Sequence, residues 1–232
     1  MKTRPKVILQ LAQAIAVSAL CCLNGRSDTV YVWGYDAAIT RFETNGIGSI
    51  IATDLSGWNG PVGLAVDSKG NLYSGCPSTS RITKYTTTGV ASILGGLVDS
   101  VSGLAFDAAD NLFATIPNYS EIDRLRYSPD LGYLLAGNYS QSHLSYPISL
   151  AFDKAANIYV ANSTPPFPFS GYTNSVEMFS SNIAYLRTFS TLFNHLVTPW
   201  CLAIDKPGNV YVSSPTHHAL FRFNSDGVLF TF

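Results

Sequence analysis

Four times along this chain a short apolar run ends on Asp, and Asn follows four residues later. The copies are Gly63-Leu64-Ala65-Val66-Asp67 with Asn71-Leu72-Tyr73, Gly103-Leu104-Ala105-Phe106-Asp107 with Asn111-Leu112-Phe113, Ser149-Leu150-Ala151-Phe152-Asp153 with Asn157-Ile158-Tyr159, and Cys201-Leu202-Ala203-Ile204-Asp205 with Asn209-Val210-Tyr211. The Asp positions advance by 40, 46 and 52 residues, drifting only where loops lengthen. Self-similarity at that period marks an array of units, each too small to bury its own faces without a neighbour.

Within a unit, apolar and polar residues alternate over short runs broken by Gly, Asn and Asp, as in strands joined by tight turns. The second unit reads as strands over 61–67, 71–74, 81–85 and 90–94, the third as 101–107, 111–115, 121–127 and 132–136. The fourth repeats this order around a long insertion at 162–174, and the fifth runs through 199–205, 209–213, 219–223 and 228–232. Residues 28–54 supply only the later strands of a first unit, with Asn45-Gly46 as a hairpin turn. Four antiparallel strands per unit is the logic of a β-propeller blade. The small Ala after each Leu suits an innermost strand, and Tyr73, Phe113, Tyr159 and Tyr211 suit the widening gap between neighbouring sheets.

Composition agrees with an all-β interior: 47% of residues are apolar and only 12% charged, too apolar for a disordered chain. Residues 1–27 read separately, as a secretory signal peptide. Lys2, Arg4 and Lys6 precede a largely apolar stretch ending near Gly25-Arg26-Ser27. That stretch is short for a membrane span and carries Gln10 and Gln13, so an anchor is the weaker reading. The expected protein is therefore secreted, periplasmic or at the cell surface, with 28–232 forming the propeller. Four of the 14 basic residues lie in the leader, leaving ten against 15 acids and a mature charge of −5. Nothing in that balance points to a nucleic-acid backbone or to an anionic membrane. Cys76 and Cys201, in different units, read as two separate thiols and not as a disulfide.

The pattern Pro-x-Gly-Leu-Ala-x-Asp, a turn, Asn-Leu-Tyr, then an Ile-x-x-Tyr/Phe strand resembles the NHL-repeat β-propellers. It is also similar to the gluconolactonase/senescence-marker-like six-bladed propellers of secreted bacterial proteins. The resemblance covers residues 28–232, and it speaks for the fold more than for an activity. It implies about five blades here: four complete, and a first lacking its inner strand. That count fits a truncated six-bladed propeller or a short, imperfectly closed five-bladed one.

Candidate chemistry is sparse. Asp67, Asp107, Asp153 and Asp205 occur once per unit at the start of a turn, where a short carboxylate accepts backbone N–H bonds. The resembling lactonases hold calcium or zinc at the channel through Glu, Asn and Asp on inner strands. At the matching positions this chain has Val62, Ser102, Ile148 and Trp200, no carboxylate among them, so no metal and no cofactor is expected. His217 and His218 are adjacent on extended backbone and point apart, while His143 and His195 fall on other loops. No nucleophile elbow, zinc helix or phosphate loop is present, and no catalytic residue is assigned.

What remains is aromatic. The loops joining second to third strands, and each blade to the next, project from one face. They carry Trp33, Tyr35, Trp58, Tyr119, Phe167, Phe169, Tyr172, Trp200 and His217. Aromatics at a channel mouth anchor sugars, peptides or proteins, though they also serve as packing plugs under loops. Within the insertion, Pro165-Pro166-Phe167-Pro168-Phe169 limits the entropy lost on binding, or else acts as a rigid spacer. Asn118, Asn138 and Asn162 each begin a glycosylation sequon. The leading expectation is a secreted, non-enzymatic propeller that binds an unknown protein, peptide or carbohydrate through its aromatic loop face. The alternative is a metal-dependent lactonase or hydrolase of the gluconolactonase-like class.

Overall fold

The computed structural model describes residues 19–22, 30–33, 38–42, 47–52, 63–94, 100–128, 132–163, 174–191, 198–214 and 218–230. They form five separate four-stranded antiparallel sheets, each laid out in sequence order. The first holds β1 (Ala19–Cys22), β2 (Val30–Trp33), β3 (Ile39–Phe42) and β4 (Gly48–Ala52). The second holds β5 (Gly63–Val66), β6 (Leu72–Cys76), β7 (Arg81–Tyr85) and β8 (Ala91–Leu94). The third holds β9 (Leu104–Phe106), β10 (Leu112–Ile116), β11 (Glu121–Ser128) and β12 (Gly132–Ser140). The fourth holds β13 (Pro147–Phe152), β14 (Ile158–Asn162), β15 (Ser175–Phe179) and β16 (Tyr185–Thr191). The fifth holds β17 (Leu202–Ile204), β18 (Val210–Ser214), β19 (Ala219–Phe223) and β20 (Leu229–Phe230).

The turn carrying the repeat motif shows why Asp and Asn recur. Asp67 Oδ1 accepts from the Lys69 and Asn71 amides at 3.0 and 2.8 Å, and Asn71 Nδ2 donates to Oδ2 at 2.7 Å. Asp107, Asp153 and Asp205 hold Asn111, Asn157 and Asn209 in the same way. Each turn passes through a left-handed residue: Gly70, Asp110, Ala156 and Gly208, with φ of 83°, 58°, 63° and 93°. Glycine takes that conformation without penalty, and the other two residues do not.

Inner strands adjoin in chain order: β1 by β5, β5 by β9, β9 by β13 and β13 by β17. They approach so closely that a Cβ on Gly63 would lie 2.2 Å from the Ser102 carbonyl oxygen, and one on Gly103 2.7 Å from Ser149 Cα. Between blades lie four apolar clusters, in which the aromatic of one second strand meets the next blade. Tyr73 stands edge-on to Phe106 at 4.9 Å, and Phe113 to Phe152 at 5.1 Å, a favoured aromatic geometry.

One expectation is corrected. The first blade does not lack its inner strand: β1 pairs antiparallel with β2, Leu20 opposite Val32 and Cys21 opposite Tyr31. This register aligns Ala19-Leu20-Cys21-Cys22 with Gly63-Leu64-Ala65-Val66, whose Leu64 and Ala65 lie opposite Ser74 and Tyr73. A small residue, Leu, a small residue and an apolar one meet the demands of the crowded axis. That tetrad lies inside the stretch read as a leader, whose charge and hydropathy masked it.

Candidate functional site

Hairpin order fixes which loops share a face. In blades two to five the Asp turns and the third-to-fourth strand turns lie at one end. The second-to-third connections and the links between blades lie at the other. At this second end the described residues include 77–80, 117–120, 141–146 and 198–201.

Of the residues singled out in the sequence, Tyr119 is the most exposed one described there. After β10, Pro117–Tyr119 forms one turn of 3₁₀ helix with proline in its first turn, closed by the Ser120 amide donating to the Pro117 carbonyl at 3.0 Å. Ile116 and Pro117 are buried, whereas Tyr119 is 57% exposed. Pro117 fixes its own φ and so limits the backbone freedom of the short turn that carries Tyr119. Trp200 sits at the same end of the fifth blade, half-buried, its amide donating to the Ser213 carbonyl at 2.9 Å. Trp33 closes β2 at that end of the first blade. Tyr119 and Trp200 thus lie at one end of blades three and five, the end at which β2 of the first blade also stops. Tyr35, Trp58, Phe167, Phe169, Tyr172 and His217 lie outside the described residues, as do Val62 and His195.

Ser102 and Ile148, at the positions where the resembling lactonases carry metal ligands, are buried in the framework. Among the described residues no three His, Cys, Asp or Glu side chains come together in a way that could hold a metal ion. The repeated carboxylates sit at the opposite end, engaged in their turns. At Asp205 burial works against the charge, but bonds from Asn209 and Tyr211 hold its carboxyl below the ordinary range. His143, placed on a loop by the sequence, is exposed yet stacks on the Tyr185 ring at 3.5 Å with planes 5° apart. Asn162 is fully buried, its amide donating to the His143 carbonyl and to Ser175 Oγ, so in the folded chain this sequon is closed to a glycan. Cys76 and Cys201 are half-buried thiols, as expected.

Two carboxylates escaped sequence reasoning. Asp123, in the middle of β11 opposite Ala114, is fully buried on the side facing the second blade, with no hydrogen bond to either oxygen. Burial, and then the charge of Glu121, push its carboxyl up to about 6, and the Asn138 amide offsets this only in part. Glu177 holds the equivalent place in β15, opposite Val160, with Oε2 buried and unbonded. The only signal in the sequence is an acid on a strand position where other blades carry Thr or Phe, namely Thr40, Thr83 and Phe221.

Comparisons with solved structures agree on the fold. The propeller in a nidogen/laminin complex overlays with a TM-score of 0.69 at 16% identity, covering 94% of this chain and 80% of that one. A gluconolactonase from Xanthomonas campestris overlays with a TM-score of 0.66 at 19% identity, covering 87% and 70%. Virginiamycin B lyase from Staphylococcus aureus overlays with a TM-score of 0.63 at 13% identity, covering 93% and 70%. No family model and no curated protein matches the sequence. At these identities the likeness is one of fold.

Proposed function

We propose that this chain is a binding propeller without catalytic activity, taking a protein, peptide or carbohydrate on the face that bears Tyr119, Trp33 and Trp200. The observation that carries this reading is the Tyr119 ring, 57% exposed on a turn pinned by buried Pro117. An exposed aromatic on a proline-restricted turn supplies contact area with less backbone to order on binding. Its setting adds support: the repeated Asp side chains are engaged in their turns at the far end. One of the similar propellers was solved in complex with a protein, which accords with this class of role.

Screening the purified chain against immobilised glycans and extracellular proteins identifies the ligand class. Tyr119→Ala is then expected to weaken capture by about tenfold or more with an unchanged melting temperature, as for a truncated anchor residue. Equal capture by both proteins removes Tyr119 from the site. Turnover of aldonolactones in the presence of Ca²⁺ or Zn²⁺ would overturn the non-catalytic reading altogether.

A further inference from the structure

One register position on the outer strands repeats from blade to blade. Between third and fourth strands, Phe42 pairs with Gly48, Tyr85 with Ala91, Leu125 with Leu135, Phe179 with Tyr185 and Phe223 with Leu229. The residue just before the second member of each pair is Ile47, Val90, Leu134, Ala184 and Val228, an aliphatic in all five blades. None of them is core. Ile47, Val90, Leu134 and Val228 are 44% to 66% exposed, and Ala184 is exposed as well. In three blades this residue closes the third-to-fourth strand turn, its carbonyl accepting from the Thr86, Ser180 or Asn224 amide at 2.8 to 3.0 Å. Single exposed aliphatics are ordinary on a protein surface, and Thr would suit so open a strand position as well. Recurrence in one register instead lines these side chains along one rim, at the end that carries those turns.

The same end is basic. Ten of the 14 Lys and Arg residues follow residue 27, and all but Arg81 lie on the turns of that end or in the strand halves next to them. Lys69, Arg126, Lys154, Arg187 and Lys206 are exposed there, and among the described acids of that end only Asp226 is. Asp67, Asp107, Asp153 and Asp205 bind their Asn partners, and Asp110 accepts from the Ser68 amide at 2.9 Å and from the Ser68 hydroxyl. Tyr127, 49% exposed near the end of β11, lies beside Lys69, whose ammonium is 5.9 Å from the ring centroid. Aliphatic, tyrosine and lysine side chains together are the set that partitions into a lipid headgroup layer. The charges of residues 28–232 sum to −5, which by itself would repel an anionic surface. Position outweighs the sum. A five-residue strand spans about 17 Å, roughly twice the ~8 Å over which charge acts at physiological salt, so acids at the far end are screened.

We propose that this rim is a docking surface for an anionic lipid bilayer. Ile47, Val90, Leu134 and Val228 enter the headgroup layer, and Lys69, Lys154 and Lys206 bind its phosphates. Aliphatics spaced singly from blade to blade suit an extended fluid surface, whereas a protein partner is met by a gathered, well-packed patch. Exposed cations come from each of blades two to five, so the charge is spread in the same way. Tyr119 lies at the opposite end, and a chain held by this rim keeps that face turned to solvent. The proposal does not depend on what Tyr119 binds.

The test is co-sedimentation of the full chain with vesicles of phosphatidylcholine, alone and with about one third phosphatidylglycerol. Retention is expected on the anionic vesicles only, and it should fall as salt is raised. Replacing Lys69, Lys154 and Lys206 together by Glu should lower partitioning by about tenfold or more. Val90→Ser combined with Leu134→Ser should lower it by about threefold or more at an unchanged melting temperature, since both side chains are already exposed. Arg81→Glu and Tyr119→Ala, at the other end, should bind vesicles as the parent does. Absence of retention on the anionic vesicles overturns the proposal. So does parental binding by the double Ser variant, because charge alone would then make the rim a site for any polyanion. A lipid-free chain that sediments as a dimer, and is dispersed by those two Ser substitutions, overturns it as well, since a second copy would then cover the rim. Should the triple Glu variant fail to fold, Gln at the same three positions removes the charge and should weaken binding in the same direction.

Discussion

Asp123 stands among apolar neighbours, between the second and third blades, with its oxygens unbonded. A carboxyl that titrates near 6 in the folded chain and near 3.8 otherwise binds more protons folded than unfolded across that interval. Stability from this group is thus complete below the lower value and is lost as the pH rises through about 6. Asp123→Asn keeps the shape and removes the charge. It is expected to raise the melting temperature at pH 7 and to flatten the fall between pH 4 and pH 6, both readable by calorimetry across pH. An unchanged slope would mean that the carboxylate is solvated or paired. A second residue is strained through its backbone. Ala156 occupies the turn position that Gly70 and Gly208 fill elsewhere, at a φ of 63°. Ala156→Gly relieves a left-handed cost of roughly 1–2 kcal/mol and returns part of it as unfolded-chain entropy. A net gain of about 0.5–1 kcal/mol is expected in urea unfolding. A loss there would show that the turn carries no strain at this position.

At the level of strands and turns, β1 ties the N-terminal stretch to the blade architecture. Its tetrad adjoins β5 at the axis, beside the cluster of Tyr31, Leu64 and Leu72. A chain beginning at Asp28 is expected to melt about 5 °C or more below the full chain, given roughly 2–4 °C per kcal/mol at this size. An unchanged melting temperature would show that β1 lies outside the cooperative unit, as a removable leader would. The difference between β1 and its counterparts also explains what the sequence disclosed. Blades two to five were legible because Asp and Asn close their turn with their own side chains, so the pattern is local and survives without an alignment. Before β2, Leu23 and Thr29 stand where Asp and Asn stand elsewhere, and the hairpin leaves no local signature. Loop-face aromatics were legible as a set, since hairpin order alone assigns them to one end. Exposure of Tyr119 was not, because it depends on a buried Pro117 whose packing is long-range. Asp123 was hidden for the opposite reason. Period-two reasoning assigns a face, but an acid on a buried face reads as a solvated one until the neighbouring blade is in place.

Across the five sheets, stability is carried by junctions, since no sheet buries both faces within itself. In such arrays the free energy is close to a sum of unit and neighbour terms, and a unit with one neighbour is the first to open. Among the described residues the third blade has clusters on both sides and the fifth on one, built on Tyr159, Val176, Phe189, Val210, Val212 and Phe223. Leu104 and Leu202 are the same residue of the repeat in those two blades. Leu104 is 6% exposed and Leu202 half-buried. Leu104→Ala should therefore cost about 2–5 kcal/mol, as for a fully buried leucine. Leu202→Ala, which removes less buried surface, should cost about 1 kcal/mol. Native-state hydrogen exchange reads the same gradient without mutation: amides of Leu112–Ile116 are expected to exchange slowest and those of Val210–Ser214 faster, with an intermediate rate in Ile158–Asn162. Uniform protection from the third blade to the fifth would require the outer face of β18 to be covered, and would place a neighbour there.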